Sequence, residues 1–292
     1  MRFERIAIVG LGLIGGSFAL AARRAGIARK ITGCGTAGSI EYALAHNIID
    51  EAEGSFDNSR ICEADLVYLA TPVCAIIDFL RTRAGQIKPG AIVTDAGSTK
   101  REICRAASES LPPAIHFIGG HPMAGSHRTG VENASADIFN NAPYALVTDN
   151  ADEAMDHDFS SSLNIMLDVV GRLGSHPVII TPDRHDRIVA RISHTPQLLS
   201  TALAVAIAKG GQQKDHELAG TGFADMTRLA ASSWTVWEDV CRTNADEIRD
   251  ALDEIIMEIE TMRAALAEGS LSTLRSAFEK ANDFSRSRAR RT

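Results

Sequence analysis

Two patterns of apolar residues divide this chain. Through residue 180, short β-branched runs alternate with stretches of helical composition, and beyond Thr181-Pro182 only helical text remains. Residues 5–9, 30–34, 64–70, 91–95, 115–118, 142–147 and 177–180 read as strands, the third closed by Thr71-Pro72 because proline lacks the N–H a ladder needs. Residues 16–25, 39–46, 73–84, 98–110 and 160–173 read as the intervening helices. Short strands separated by helices imply β-α-β units and a doubly wound, mostly parallel sheet.

The second pattern begins near residue 183. Residues 185–209 are rich in Ala and Leu, with Pro196 placed to kink or break the helix. Residues 244–268 carry Ile248, Leu252, Ile255, Ile259, Met262 and Leu266 at alternating spacings of four and three. That a/d stripe is the seam of a helix packed on another helix, either inside one bundle or across a homodimer. The expected division is a dinucleotide-binding domain over residues 1–182 and a helical substrate and dimerisation domain over residues 183–292.

The first strand is followed by Gly10-Leu11-Gly12-Leu13-Ile14-Gly15 and then a helix. This is the G-x-G-x-x-G pattern in the strand–turn–helix setting it requires, so the first domain is of Rossmann type. The first glycine permits the tight turn, the second lets a pyrophosphate approach the backbone, and the third allows close packing of helix on strand. The helix N-terminus, at Leu13 and Ile14, then offers free N–H groups to the phosphates. Thr71 and Pro72 join the candidate cofactor contacts. Where an acid usually holds the ribose 2′-OH, the second strand ends in Gly33-Cys34-Gly35-Thr36. Gly35 repels no 2′-phosphate, and Thr36 and Ser39 can donate to one. The expected cofactor is NAD or NADP, with a slight lean to NADP or dual use.

Composition narrows the class. The 292 residues are 45% hydrophobic and 23% charged, ordinary for a globular chain of two domains. The net charge of −7 disfavours nucleic acid or an anionic membrane as partner. The apolar run after Arg5 resembles a signal peptide, but Gly10, Gly12, Gly15 and Gly16 interrupt it. Cys34, Cys62, Cys74, Cys104 and Cys241 show no C-x-x-C spacing, so neither a disulfide framework nor a metal site is expected. A cytoplasmic location is the expectation.

Candidate chemistry sits in Gly119-Gly120-His121-Pro122-Met123-Ala124-Gly125-Ser126, directly after a strand, on the edge where ligands bind. Together with Asp95-Ala96-Gly97-Ser98-Thr99-Lys100, Ser193-His194-Thr195-Pro196 and Gly222-Phe223-Ala224-Asp225-Met226-Thr227-Arg228, this motif resembles the prephenate/arogenate (cyclohexadienyl) dehydrogenase family. The resemblance spans nearly the whole chain, with its motifs in the family's order. It implies oxidative decarboxylation of a cyclohexadienol carrying two carboxylates, with hydride leaving for a nicotinamide. It implies His121 as the base, Ser98 beside base and nicotinamide, Arg228 as the carboxylate-binding cation, and His194 as a second substrate-side histidine. Ser98 also reads as a simple helix N-cap. Ser126 is a candidate substrate donor, and Asp225, one helical turn before Arg228, is a candidate to orient that guanidinium.

The chain departs from the family pattern at two substrate-side positions. Gln197 stands where a histidine often completes S-H-x-P-H, and His127 stands where an acidic residue is common. An amine wants a carboxylate nearby, so His127 favours prephenate over arogenate. Rival expectations are another 3-hydroxyacid or imine oxidoreductase on the same plan, or a dinucleotide sensor without catalysis. A sensor needs the glycines but has no need of His121, Ser98 and Arg228 together.

Overall fold

A computed structural model describes residues 2–54, 60–125, 128–148, 157–210 and 218–289. The chain divides into two compact units, Met1–Ala245 and Asp246–Thr292. The first is built on β1 (Phe3–Val9), α1 (Leu13–Arg24), β2 (Ala28–Cys34), α2 (Ala37–Ala45), β3 (Glu51–Glu53), β4 (Leu66–Leu69) and α3 (Val73–Thr82). It continues through β5 (Ile92–Asp95), α4 (Arg101–Ser110), β6 (His116–Pro122), β7 (Pro143–Val147), α5 (His157–Arg172) and β8 (His176–Ile180). Among the described residues these strands form one sheet in the order β3-β2-β1-β4-β5-β6-β7-β8. Neighbours are parallel except β6 and β7, so the last two strands run against the first six.

Burial on both faces explains why the central strands are apolar at every position rather than at alternate ones. Ile6 and Ile8 of β1, with Leu66 and Tyr68 of β4, face a core that includes Phe18 and Met166. Their neighbours Ala7, Val9, Val67 and Leu69 face the opposite core, with Ile76, Phe79 and Ile103. Tyr68 stacks on Phe18 with ring centroids 3.8 Å apart.

The expected α/β architecture is present, with differences that have local causes. The three-residue strand β3 reads Glu-Ala-Glu and offers no apolar signal. It pairs with β2 and is held by its charges, since Glu51 accepts from Arg5 and Lys30 at 2.6 Å each. Those two donors pull the Glu51 carboxyl down to about 2. Strand β6 runs on to Pro122 because its last four residues pair with β7.

Helix α4 begins at Arg101, not at Ser98, so the N-cap reading of Ser98 is corrected. The cap comes instead from Asp186, whose two carboxylate oxygens accept from the N–H groups of Lys100 and Arg101 at 2.7 and 2.9 Å. A cap supplied from a distant helix leaves no local sequence mark.

After β8 come α6 (Pro182–Val189), a π-helical turn at Ala190–His194, α7 (Thr195–Gly210), α8 (Thr221–Thr227), a 3-10 turn at Arg228–Ala231, and α9 (Trp234–Thr243). The expected disturbance at Pro196 is present: the helical run over α6 and α7 is interrupted at Ala190–His194 by a π turn directly before the proline, whose ring cannot accept the regular ladder there. The second unit holds all but the first residue of α10 (Ala245–Glu268), and α11 (Leu271–Ala289). Gly269, at φ 70°, turns the chain between them. Ile259, Met262 and Leu266 of the apolar stripe are exposed. No helix among the described residues is long and apolar enough to cross a membrane.

Candidate active site

The strand order reverses between β1 and β4, which places a crevice outside their C-terminal ends. Gly10 turns the chain there at φ 101°, and a Cβ on it would stand 2.6 Å from the carbonyl carbon of Ala70. A Cβ on Gly15 would collide with the carbonyl oxygen of Gly10. Gly12 differs: a Cβ there would meet nothing within 4 Å. Gly12 caps α1 with no side-chain partner, so the first-turn N–H groups, at Leu13, Ile14 and Gly15, face the open side of the turn. Thr71 and Pro72, the latter the N-cap of α3, form the opposite lip. Two glycines make the turn, the third keeps it open, and the helix end supplies donors. This cradle fits a pyrophosphate.

At the end of β2, Thr36 caps α2, accepting from the Ser39 N–H at 3.3 Å. Its hydroxyl lies 3.1 Å from the Ser39 hydroxyl, which donates to the Thr36 carbonyl at 2.9 Å. Both hydroxyls are thus engaged in the cap. Arg29 and Lys30 sit at the start of β2 and are paired with Glu4 and Glu51, away from the ligand edge. Glu53 of β3 is in register with Cys34, the last residue of β2, which puts a carboxylate beside that strand end. Sequence reasoning missed it because β3 itself was invisible.

His121 lies near the end of β6, on the edge that carries Gly10 and Thr71. The two glycines before it are required by crowding. A Cβ at Gly119 would press on Val147 and Cys104 at 3.1 and 3.3 Å, and one at Gly120 would collide with the Asp95 carbonyl. Asp95 accepts from the Gly120 N–H at 3.0 Å and from the Gly97 N–H at 2.8 Å, and it pairs with the buried ammonium of Lys100. Lys100 also donates to the Gly120 carbonyl at 2.7 Å. The Asp95–Lys100 segment therefore acts as a scaffold under the strand that presents the histidine.

His121 is buried, and its Nδ1 lies 2.9 Å from Nε2 of His185. Burial, followed by the positive potential of His185, Lys100 and His194, holds its imidazole well below the usual histidine pKa. The ring is therefore neutral at neutral pH, the state a proton acceptor needs. His185 and Asp186 went unnoticed in the sequence, since adjacent His and Asp on a helix carry no signal of what they face.

His194 ends the π turn, fully buried, with Nδ1 3.3 Å from the Asn244 amide and its ring edge-on to Trp237 at 5.8 Å. Burial pushes its pKa down to about 4, with His185 adding to the effect and Asp186 opposing it. Gln197 does not project a free amide. It donates to the Leu229 carbonyl at 2.7 Å and accepts from Ser232 at 3.1 Å, tying α7 to the turn that begins with Arg228.

Arg228 is exposed at the start of that turn, outside the hydrogen-bonded cluster around His121. Asp225 is exposed too, one turn before it on α8. Ser98 is half-buried in the loop between β5 and α4, at the same sheet edge as His121. Ser126 and His127 lie outside the described residues.

Comparisons with known proteins place both halves of the chain in one family. The family described as "Prephenate dehydrogenase, nucleotide-binding domain" matches residues 18–176, and "Prephenate dehydrogenase, dimerization domain" matches residues 181–280. A prephenate dehydrogenase of Bacillus subtilis is 33% identical over 96% of this chain and 75% of its own length. The A. aeolicus prephenate dehydrogenase, solved with hydroxyphenyl propionate and NAD+, superposes with a TM-score of 0.87 at 25% identity, covering 97% of both chains. The Synechocystis arogenate dehydrogenase superposes at 0.79 with 29% identity, covering 95% of this chain and 97% of that one. A nucleotide-binding sheet with a buried neutral histidine at its ligand edge, joined to a matching helical region, accounts for both halves of the match: the chain belongs to the prephenate dehydrogenase family.

Proposed function

We propose that this chain oxidatively decarboxylates prephenate, using NAD and accepting NADP, and that it works as a homodimer in the cytoplasm. The observation that carries the reading is His121, a buried neutral imidazole on the sheet edge that also carries the glycine cradle. A nicotinamide dinucleotide bound at that cradle supplies the hydride acceptor. His121 takes the proton of the substrate hydroxyl as the carbinol C–H bond breaks, and the ring carboxylate leaves as CO2. The C–C bonding pair it leaves behind completes the aromatic ring, which makes the step irreversible. Arg228 binds a substrate carboxylate, His194 and Ser126 serve as further substrate-side groups, and Ser98 stands beside the base and the nicotinamide. Prephenate is favoured over arogenate because His127 replaces an acid that an amine would seek.

The division of labour falls near residue 182, with the cofactor and the base before it and Arg228, His194 and the dimer contacts after it. Exposed Ile259, Met262 and Leu266 on α10, with Leu271, Phe278 and Phe284 on α11, support a dimer formed through these helices. Acceptance of NADP rests on Gly35, which puts no charge beside a 2′-phosphate.

The test is a two-by-two assay of prephenate and arogenate against NAD and NADP, read at the reduced-nicotinamide absorbance band. Turnover of prephenate with both cofactors is expected. Turnover of neither substrate overturns the activity, arogenate alone overturns the substrate choice, and strict use of NAD overturns the cofactor choice.

A further inference from the structure

The base His121 does not stand alone: behind it lies a chain of hydrogen bonds that no other part of the mechanism uses. Asp186 is wholly buried, and its carboxylate accepts from the N–H groups of Lys100 and Arg101 and from Nδ1 of His185, the last at 2.7 Å. Both carboxylate oxygens already accept from backbone N–H groups, so Asp186 faces His185 as an acceptor. The proton between Asp186 and His185 therefore belongs to Nδ1 of His185. A neutral His185 protonated at Nδ1 has a bare Nε2. The atom facing that lone pair, at 2.9 Å, is Nδ1 of His121, so this nitrogen must carry the other proton. It follows that Nε2 of His121, turned from His185, is left bare.

We infer that His185 and Asp186 are positioning residues for the base. They lock His121 in the tautomer whose Nε2 accepts the substrate proton, and they hold its ring at a fixed angle. The rings of His121 and His185 meet edge-on at 62°, with centroids 5.1 Å apart, a geometry that two free imidazoles would not keep. When His121 takes the substrate proton, its Nδ1–H continues to donate to His185, and Asp186 lies one ring further back to balance the charge. The other charged or titratable groups described around the pair are Lys100, His194 and Asp95, and Lys100 is already paired with Asp95. The anionic partner behind His185 is thus Asp186. The same carboxylate caps α4, so the helix that follows the Asp95–Lys100 scaffold and the tautomer of the base are set by one residue. This inference rests on His121 as the base, but its principal test does not need substrate.

That test is the nitrogen NMR spectrum of the full-length protein with 15N-labelled histidine, the His121 signals being assigned by their loss in His121→Asn. A neutral His121 protonated at Nδ1 and bare at Nε2 is expected, and the opposite tautomer overturns the inference. In His185→Leu the expected spectrum shows a mixture of the two tautomers, while an unchanged single tautomer overturns it. Kinetically, His185→Leu is expected to lower kcat by about 10²-fold with KM and cofactor Kd within about twofold of wild type, since only proton transfer is impaired. His185→Gln, whose side-chain oxygen can accept from Nδ1 of His121, is expected to recover a large part of that loss. Equal kcat in wild type and a folded His185→Leu overturns the inference. If the wild-type protein turns over neither prephenate nor arogenate, the proposed activity fails while the NMR result still decides the relay.

Discussion

The ammonium of Lys100 donates at 2.7 Å to the carbonyl of Gly120, the residue immediately before His121. Its other partner, Asp95, accepts from the N–H of the same Gly120. One wholly buried ion pair thus grips both backbone polar groups of Gly120, the residue that precedes the base. A buried pair adds little net stability over apolar residues of the same size, but removing one member strands the other's charge.

Lys100→Met is therefore expected to cost roughly 3–5 kcal/mol, because it leaves Asp95 buried and unpaired. Adding Asp95→Asn should return part of that loss, since an uncharged amide beside an apolar Met is cheaper to bury than a stranded carboxylate. Urea denaturation of both single variants and the double variant checks this. A double variant whose cost equals the sum of the singles would show that the two residues act independently.

His121→Asn should lower kcat by about 10²–10⁴-fold and leave dinucleotide affinity unchanged, because Asn fills the space but cannot hold the proton. Steady-state rates with fluorescence titration of the cofactor read both quantities. Undiminished turnover would remove His121 as the base.

Arg228→Ala should raise KM for the substrate by about 10–100-fold, the range expected for a lost charge-assisted hydrogen bond. The change should be small in kcat, since carboxylate binding is shared by ground state and transition state. A KM within experimental error of wild type would mean that Arg228 does not meet the substrate.

Gly12 and Gly15 should respond in opposite ways. Gly12→Val faces open space, so the fold should persist while the pyrophosphate is excluded and cofactor affinity falls. Gly15→Ala places a methyl against the Gly10 carbonyl, so the protein itself should lose stability. Thermal melts alongside cofactor titrations separate the two. Equal loss of stability in both variants would contradict the open side of the turn.

Acid should destabilise this protein through its buried histidines. His121, His185 and His194 all have pKa values below the usual one, chiefly through burial, with His194 at about 4. Where the unfolded chain binds a proton and the folded chain does not, stability rises with pH. Their contribution is complete above the unfolded value near 6.5 and is lost as pH falls toward about 4, at up to about 1.4 kcal/mol per pH unit for each histidine. Denaturation midpoints at pH 7, 6 and 5 should fall in that order. Midpoints that stay level would mean the three rings take up protons in the folded state as easily as in the unfolded one.

Much of the cofactor half was legible in the order of residues because its signals are local. A glycine needed for a turn, a β-branched run buried on both faces and a helix following directly are all properties of neighbours in the chain. The strands of the sheet could be read from residue 5 to residue 180 for that reason, and β3 could not, because pairing and ion pairs hold it rather than apolar burial. The family motifs likewise marked His121, and the geometry then supplied the reason for the glycines before it.

What lay beyond the sequence is every relationship between residues far apart along the chain. Ser98 looked like the cap of α4, but Asp186 caps that helix from 85 and 86 residues away. Asp225 and Arg228 read as one helical turn, but α8 ends between them at Thr227 and Arg228 begins a 3-10 turn. His185 had no motif to announce it, and only the packing of α6 beside the end of β6 brings its Nε2 against the base. The sequence by itself determined the turn, the alternating elements and the candidate base, since each depends on covalent neighbours and local periodicity. Tertiary structure alone decided which proton the base carries, because a tautomer is set by the hydrogen-bond partner that folding places across the ring.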